Sequence, residues 1–444
     1  MIETITWAKA TEAQRKRVLI RSGLDVSRAM DPAMKVFDSV RERGDDELLA
    51  LSEKYDGVKL DRKNLRVSDR DFEDAYRDAG LERVSAIRRQ IALSRKFALA
   101  QLKAAPLEWQ AEIADGVIGG LKWTPLESVG LYIPGGNAPY PTVMQILGVP
   151  AKVAGVKRVV ACVPPKNCTA EVLVAARESG VDEVYRVGGP GAIAAMALGT
   201  ASIRPVLKIV GPGSPMVVAA KFIANNSGVA IDMPAGPSEV LIVAEEKGGG
   251  KELPSLIAAD MISANEHGKD SASVLVTDSR RLAAKVRAEL ELQVAASDRQ
   301  KDVKESLRRY SAIVLVPSLK KAVDFANEYA SEHLQLLVRN PRRVLRGIRN
   351  AGSVFIGKGG PWNFKALGDY AIGVNHILPT ARAARAYSPV GVHTFLKAVQ
   401  FSEVSQRGFE ILSPILETIS TAELFNGHRN CGRLRMKIAK GSSR

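Results

Sequence analysis

The chain has 444 residues, enough for about three domain-sized pieces, and its 46% hydrophobic and 25% charged residues exclude a collagenous, fibrous or disordered protein. The net charge of +15, from 63 basic and 48 acidic residues, is spread along the sequence, and aromatics at 5% are too few for a base-stacking platform. No nucleic-acid partner is therefore expected, and no membrane association either, because Lys152, Lys157 and Arg158 interrupt the most apolar stretch well short of a span.

Cys162, Cys168 and Cys431 form an odd, sparse set without CxxC spacing, which argues against a disulfide framework or a zinc ribbon. The opening residues lack the basic-then-apolar layout of a signal peptide, so a cytoplasmic location is expected.

The first ~105 residues read as helical, since KVFDSVRERGDDELLALSEKY and ERVSAIRRQIALSRKFALAQLKAA repeat apolar positions at three and four residues. From Val129 short β-branched runs alternate with helical ones: VGLYI, a helix over Met144–Val156, RVVACV, EVLVAARES, EVYRV, AIAAMALG and VLKIV. A second series follows: EVLIVA, a helix near Leu253–Glu266, SVLVT, a helix over Arg280–Gln293, SAIVLV, the helix Leu319–Tyr329, and SVFIG from residue 353. After Leu378 helical and loop character returns, ending in a basic stretch. The expected class is α/β, with two Rossmann-like, incomplete parallel-sheet domains plus helical N-terminal and C-terminal segments.

Four glycine-rich loops punctuate the first series: Pro134–Asn137, Gly188–Gly191, Gly211–Ser214 and Ala235–Ser238. Three follow predicted strands and two open helices, where free amides and the helix dipole suit phosphate. None satisfies GxGxxG, and any one alone reads equally as a tight turn. Several on one side of a sheet place a site at the carboxyl ends of its strands.

The five histidines are His267, His333, His376, His393 and His428. A lone histidine is more often a satisfied structural residue, but the company of these is polar. Ser263-Ala264-Asn265-Glu266-His267 ends a predicted helix, Ser331-Glu332-His333 follows another, and Gly368-Asp369-Tyr370 lies just before His376. Imidazoles and a carboxylate from distant segments suit an open zinc site, and an adjacent Glu-His pair suits proton transfer. The spacing alone is a weak metal signal, because no HExxH or paired Cys/His fixes two ligands on one helix.

The segments VGLYIPGG (129–136), VGG (187–189), KIVGPG (208–213), IDMPAGPSEV (231–240), EHG (266–268), SEHL (331–334), AGSV (351–354), GDY (368–370) and NH (375–376) together resemble histidinol dehydrogenase, in order from about residue 30 to 435. The resemblance implies an enzyme with NAD and one zinc per subunit that oxidises a primary alcohol through a bound aldehyde to a carboxylate. It also implies a homodimer in which the C-terminal segment completes the partner subunit's site. By position, His267, Asp369 and His428 match zinc ligands, and Glu332 and His333 match the acid/base pair. Ser238, His376 and Glu423 match substrate contacts, and Tyr132, Gly191 and Ser214 fall at cofactor-contact positions.

The implied division is a helical segment over residues 1–131 leading into the first α/β domain, a Rossmann-like domain on the NAD side over 132–237, an α/β domain with the catalytic residues over 238–380, and a C-terminal segment over 381–444.

The chain departs from the family where a glutamine zinc ligand is replaced by Ala264, which has no ligating atom; neighbouring Asn265 points about 100° away on a helix. Gly191 stands for a glutamine, Ser214 for an asparagine, Lys365 for a glutamate four residues before Asp369, and Arg382 for a small residue. Lys365 in the pocket suits an anionic alcohol better than cationic histidinol. The departures favour a non-histidinol primary alcohol, for which a sulfopropanediol-oxidising relative is a precedent. The alternatives are L-histidinol itself and a non-catalytic nucleotide- or metabolite-binding descendant.

Overall fold

A computed structural model describes residues 2–441 except 22, 24, 25, 137, 235 and 249, so Asn137 and Ala235 of two glycine-rich loops and residues 442–444 of the basic tail lie outside it. The chain groups into two compact units, Met1–Ala100 with Leu126–Phe395, and Gln101–Pro125 with Leu396–Arg444.

Two departures from helix interrupt the N-terminal region. Residues Glu3–Thr6 form β1, and Gly80 breaks the long helix Asp69–Ala104 with a φ of +75°. Further on, Glu108–Ala114 and Val117–Pro125 form β2 and β3, where the sequence reading saw only helix or none.

The first parallel series then appears as β4 (Ser128–Tyr132), β5 (Arg158–Val163), β6 (Glu183–Arg186), β7 (Lys208–Val210) and the short β8 (Ala230–Ile231). The second is β9 (Glu239–Ala244), β10 (Ala272–Thr277), β11 (Ala312–Leu315), β12 (Ser331–Leu337) and β13 (Ala351–Ile356). Of these, β12 has no counterpart in the sequence reading: SEHLQLL contains no β-branched residue, and burial of all seven residues between β9 and β13 holds it extended.

The first unit holds both parallel sheets. One has five strands in the order β6-β5-β4-β7-β8. The other has the order β11-β10-β9-β12-β13, with β1 added outside β11 as a sixth strand. Relabelled by their own chain order, both five-strand sets read 3-2-1-4-5, the order of a Rossmann fold that lacks its sixth strand. The strand order reverses between β4 and β7 in one sheet and between β9 and β12 in the other. Helices cover both faces, and strand interiors such as Val240–Val243 are wholly buried, as a sheet covered on both sides requires.

The second unit is an antiparallel sheet, β14-β3-β2, with β14 spanning Leu396–Val404, and two helices, Gln406–Ala422 and Asn426–Gly441. The C-terminal region is therefore not wholly helical. Its helices and the turn between them expose Ile415, Ile419, Leu424, Phe425 and Leu434. Cys162 is buried in β5, Cys168 is half-buried, and Cys431 is exposed on the last helix. Among the described residues no helix is long and apolar enough to cross a membrane.

Candidate active site

At the carboxyl ends of β4 to β7 lies a cavity of about 490 Å³. Its floor is the strand-end residue Tyr132 and its walls are the loops Pro134–Gly136 and Gly188–Gly191 with Ser214. Gly188 and Ser214 are the residues immediately before the helices Gly189–Leu198 and Pro215–Asn226. Two helix N-termini thus face one space and offer it the positive ends of two dipoles. The Gly189 amide donates to the Tyr132 hydroxyl (3.2 Å), and burial, set against that bond, pushes this phenol well up. Gly211 turns the chain at a φ of +139°, where a Cβ would meet the Tyr132 carbonyl oxygen at 2.2 Å, so only glycine fits. This turn is clamped by the buried Lys221–Asp232 pair. Lys221 Nζ also donates to the carbonyls of Gly211 and Met233, and Asp232 Oδ2 accepts the Gly211 amide at 2.8 Å.

The three expected cofactor-contact residues, Tyr132, Gly191 and Ser214, all line this cavity. Leu51, Tyr55 and Asp56, from the N-terminal helical region, line it too and were missed. At Gly191 a Cβ would come within 2.8 Å of Leu51 Cδ1, so Leu51 fills space that a longer side chain at 191 would need.

The second cluster sits at the amino ends of β9 and β12. Ser238 precedes β9, Glu332 and His333 are the second and third residues of β12, and His333 lies between Val240 and Ser353 in register. The two strand starts are cross-linked, because Glu332 Oε2 accepts the Glu239 amide (2.8 Å) while Glu239 Oε1 accepts the Glu332 amide (3.0 Å). Ser238 Oγ donates to the same Glu332 oxygen at 3.3 Å. Buried Arg21 pairs with both Glu239 oxygens, donates to the Tyr329 carbonyl and lies over the Tyr329 ring, 3.7 Å from its centroid. Neither Arg21 nor the role of Glu239 was found from the sequence, since a buried arginine carries no pattern of its own.

His333 Nδ1 is held by the Glu239 carbonyl (3.0 Å) and by Glu332 Oε2 (3.1 Å). Its Nε2 is buried without a hydrogen bond, and the 3.4 Å contact with Asp369 Oδ1 lacks hydrogen-bond geometry. Burial opposes charge on this imidazole, but Glu332 outweighs it and carries the ring up to about 9.

Asp369 belongs to the short helix Lys365–Tyr370, and Lys365 of the same turn is 1% exposed. The Lys365 Nζ sits between two acceptors, 2.5 Å from Asp369 Oδ2 and 3.0 Å from His267 Nε2. Lys365, with burial, holds the His267 imidazole down at about 4, so the ring is neutral and accepts the Nζ–H. The Asp369 carboxyl resists its own burial and is held well below the usual range by Lys365 and His333. Burial keeps His376 at about 4 despite nearby Asp369, and its Nδ1 is buried without a partner.

Ser238, His267, Glu332, His333, Lys365, Asp369 and His376 therefore converge in the first unit, whereas Glu423 and His428 belong to the second. There His428 opens the last helix and packs on Phe425 at 5.2 Å between ring centroids. Ala264 is fully buried, and Asn265 bonds Met261 O and Ser273 Oγ in the core, so neither offers a ligand. Arg382 takes a left-handed φ of 69° with its Nε buried and unpartnered. Among the described residues no three His, Cys, Asp or Glu side chains are arranged to hold a metal ion.

The sequence matches the histidinol dehydrogenase family over residues 19–436. Histidinol dehydrogenase of Methanothermobacter thermautotrophicus is 40% identical over 435 residues, covering 97% of this chain and 99% of its own. That of Vibrio parahaemolyticus is 39% identical, covering 98% and 99%. The crystal structure of histidinol dehydrogenase from Elizabethkingia anophelis superposes with a TM-score of 0.90 at 33% identity, covering 99% of both chains.

Proposed function

The chain belongs to the histidinol dehydrogenase family, and on that premise we propose that it oxidises a small primary alcohol to the carboxylate in two successive steps with NAD. It is an oxidoreductase acting on CH–OH, from a family that depends on zinc and NAD. The observation that carries the reading is His333: one ring nitrogen is fixed by Glu239 and Glu332, and the other is buried without a hydrogen bond 3.4 Å from Asp369, so that the ring, strongly basic once it has given up its own proton, can take one from a substrate hydroxyl.

NAD fits the cavity at the carboxyl ends of β4 to β7, where two helix N-termini suit a pyrophosphate and Asp56 is among the lining residues. When bound, it accepts the hydride in each oxidation. Zinc does not fit the residues as they stand, because the Lys365 ammonium lies between His267 and Asp369 and position 264 has no ligating atom.

In the first step His333 Nε2 takes the hydroxyl proton. For the second, Glu332 activates water for attack on the bound aldehyde, its carboxylate oriented by the Glu239 amide and the Ser238 hydroxyl. The reciprocal Glu239–Glu332 bonds, backed by Arg21, set the angle of both groups before substrate arrives.

The relatives at 38–40% identity carry the name histidinol dehydrogenase, which makes L-histidinol the first substrate to test and weighs against a different alcohol. Lys365 and Ala264 favour that second reading, an alcohol other than histidinol. The assay is NADH formation with L-histidinol, dihydroxypropanesulfonate and neutral diols. Two NADH per histidinol support the first reading, two per another alcohol the second, and none on any alcohol sinks the dehydrogenase assignment. We further propose a homodimer in which the partner's Glu423 and the partner's His428 complete the site. The apolar residues exposed on the last two helices and the turn between them support it, and a monomeric mass by light scattering would refute it.

A further inference from the structure

We propose that in this chain the Lys365 ammonium replaces the metal cation, as the fixed charge around which His267 and Asp369 are arranged and as the group that holds the substrate oxygen. This rests on the alcohol-oxidising reading of the site.

Three observations point the same way. First, the lone pairs a zinc ion would need are already used: His267 Nε2 and the Asp369 carboxylate both accept from Nζ, at 3.0 and 2.5 Å. A dication bound to the same two atoms, at about 2.0–2.2 Å from each, would lie in contact with the ammonium. Lys365 is 1% exposed, so it is packed in place and has no solvent-side position to retreat to without opening the site. Second, Ala264 sits one turn before His267, fully buried, so the side that would supply another ligand presents only a methyl group.

Third, the surroundings favour a fixed cation at this position. The helices Leu253–Asn265 and Leu319–Tyr329 end just before His267 and β12, which places the negative ends of their dipoles next to the segments that carry His267, Glu332 and His333. Arg21 exploits the same field, donating to the carbonyl of Tyr329 at the end of one of these helices. The site thus collects cationic side chains where helices end, and the lysine completes the set.

The chemistry balances. An ammonium has three N–H donors, and two are taken by His267 and Asp369, leaving one for the substrate hydroxyl oxygen. The C–H hydride passes to NAD and the O–H proton to His333 in its neutral form as the carbonyl forms, while the remaining Lys365 N–H stabilises the oxygen as negative charge builds on it. Recognition then runs through hydrogen bonds, which favours an alcohol carrying acceptor groups over one that relies on an imidazole to ligate a metal.

The test begins with zinc stoichiometry. Full-length protein is purified with zinc present, dialysed, and assayed for metal by mass spectrometry and for zinc binding by calorimetry. We expect far less than one zinc per chain, no binding heat assignable to a tight site, and NADH formation unaffected by a chelator. One tightly held zinc per chain would overturn the proposal. The double variant Ala264→Gln/Lys365→Glu restores the family's pattern and is expected to gain stoichiometric zinc; a folded double variant that binds none would count against the placement of the lysine at the metal position. Should that variant not fold, the wild-type stoichiometry still decides. Because metal content is read independently of turnover, a protein that oxidises no alcohol defeats the dehydrogenase reading and leaves this one to be judged on its zinc.

Discussion

The two parallel sheets share one strand order, yet their functional groups lie at opposite ends. In the sheet containing β4 to β8, the cavity opens at the carboxyl ends, where helices begin and backbone amides point outward. In the sheet containing β9 to β13, Glu332, His333 and Glu239 cluster at the amino ends, where helices finish. The first location suits an anionic group held by main chain, so small residues and glycines dominate it. The second suits cations and titratable side chains, so it is built from individual atoms of individual residues. One topology therefore provides two electrostatic environments, chosen by which end of the strands is used.

If the amino-end cluster does the chemistry, single atoms there should matter most. Glu332→Gln or His333→Gln is expected to lower NADH formation by about 10²–10⁴ while circular dichroism stays unchanged; equal turnover would dissolve the contrast between the ends. The carboxyl-end cleft should fail through its scaffold instead. Lys221→Met leaves Asp232 buried and uncompensated, which should cost about 3–5 kcal/mol in denaturant unfolding, and a smaller loss would mean that water reaches the pair.

Charge burial gives the two halves opposite responses to acid. Burial raises Asp260, which accepts from Gln335 on β12, to about 6, against an unfolded value of 3.8. The folded state binds this proton more tightly, so the stability contributed falls as pH rises from about 4 to 6, by at most about 3 kcal/mol. Asp260→Asn should flatten that segment of the profile. A smaller loss is expected at Gly189, whose φ of +59° strains any other residue: Gly189→Ala should cost about 1–2 kcal/mol in denaturant unfolding, the amount expected for that conformation. The effect of opposite sign belongs to Glu183. Burial works against its charge, but Arg158, Tyr185 and Arg204 outweigh it and hold the carboxyl at about 2. Its contribution is present above about 4.5 and is lost as pH falls toward 2, so Glu183→Gln should weaken the protein at neutral pH and remove that acid sensitivity.

Much of this architecture was legible because buried parallel strands are rich in valine and isoleucine. RVVACV and EVLIVA coincide with β5 and β9 without a shift, and the glycine-rich loops after β6 and β7 frame the cavity that Tyr132, Gly191 and Ser214 line. What escaped was decided by partners far away in sequence. β1 is extended because Glu3–Thr6 completes the edge beside Ala312–Leu315, and β12 because its neighbours bury it despite poor propensity. The glutamate-histidine pair was visible as a pair, but its position on a strand was not. Lys365 was noticed as a departure; its four-residue spacing from Asp369 would have placed both on one helical face, yet only the fold turns that face toward His267. Leu51, Tyr55 and Asp56 reach the cavity from a helical region that periodicity assigns to packing alone.

The placement of the three thiols makes the molecule its own reporter. Burial pushes Cys162 up to about 12 and Cys168 up to about 11, which leaves both almost without thiolate at neutral pH, while Cys431 stands exposed on the last helix. A maleimide dye therefore attaches at one defined position of the unmodified sequence. Its emission then reports on the helix carrying His428 without an engineered label.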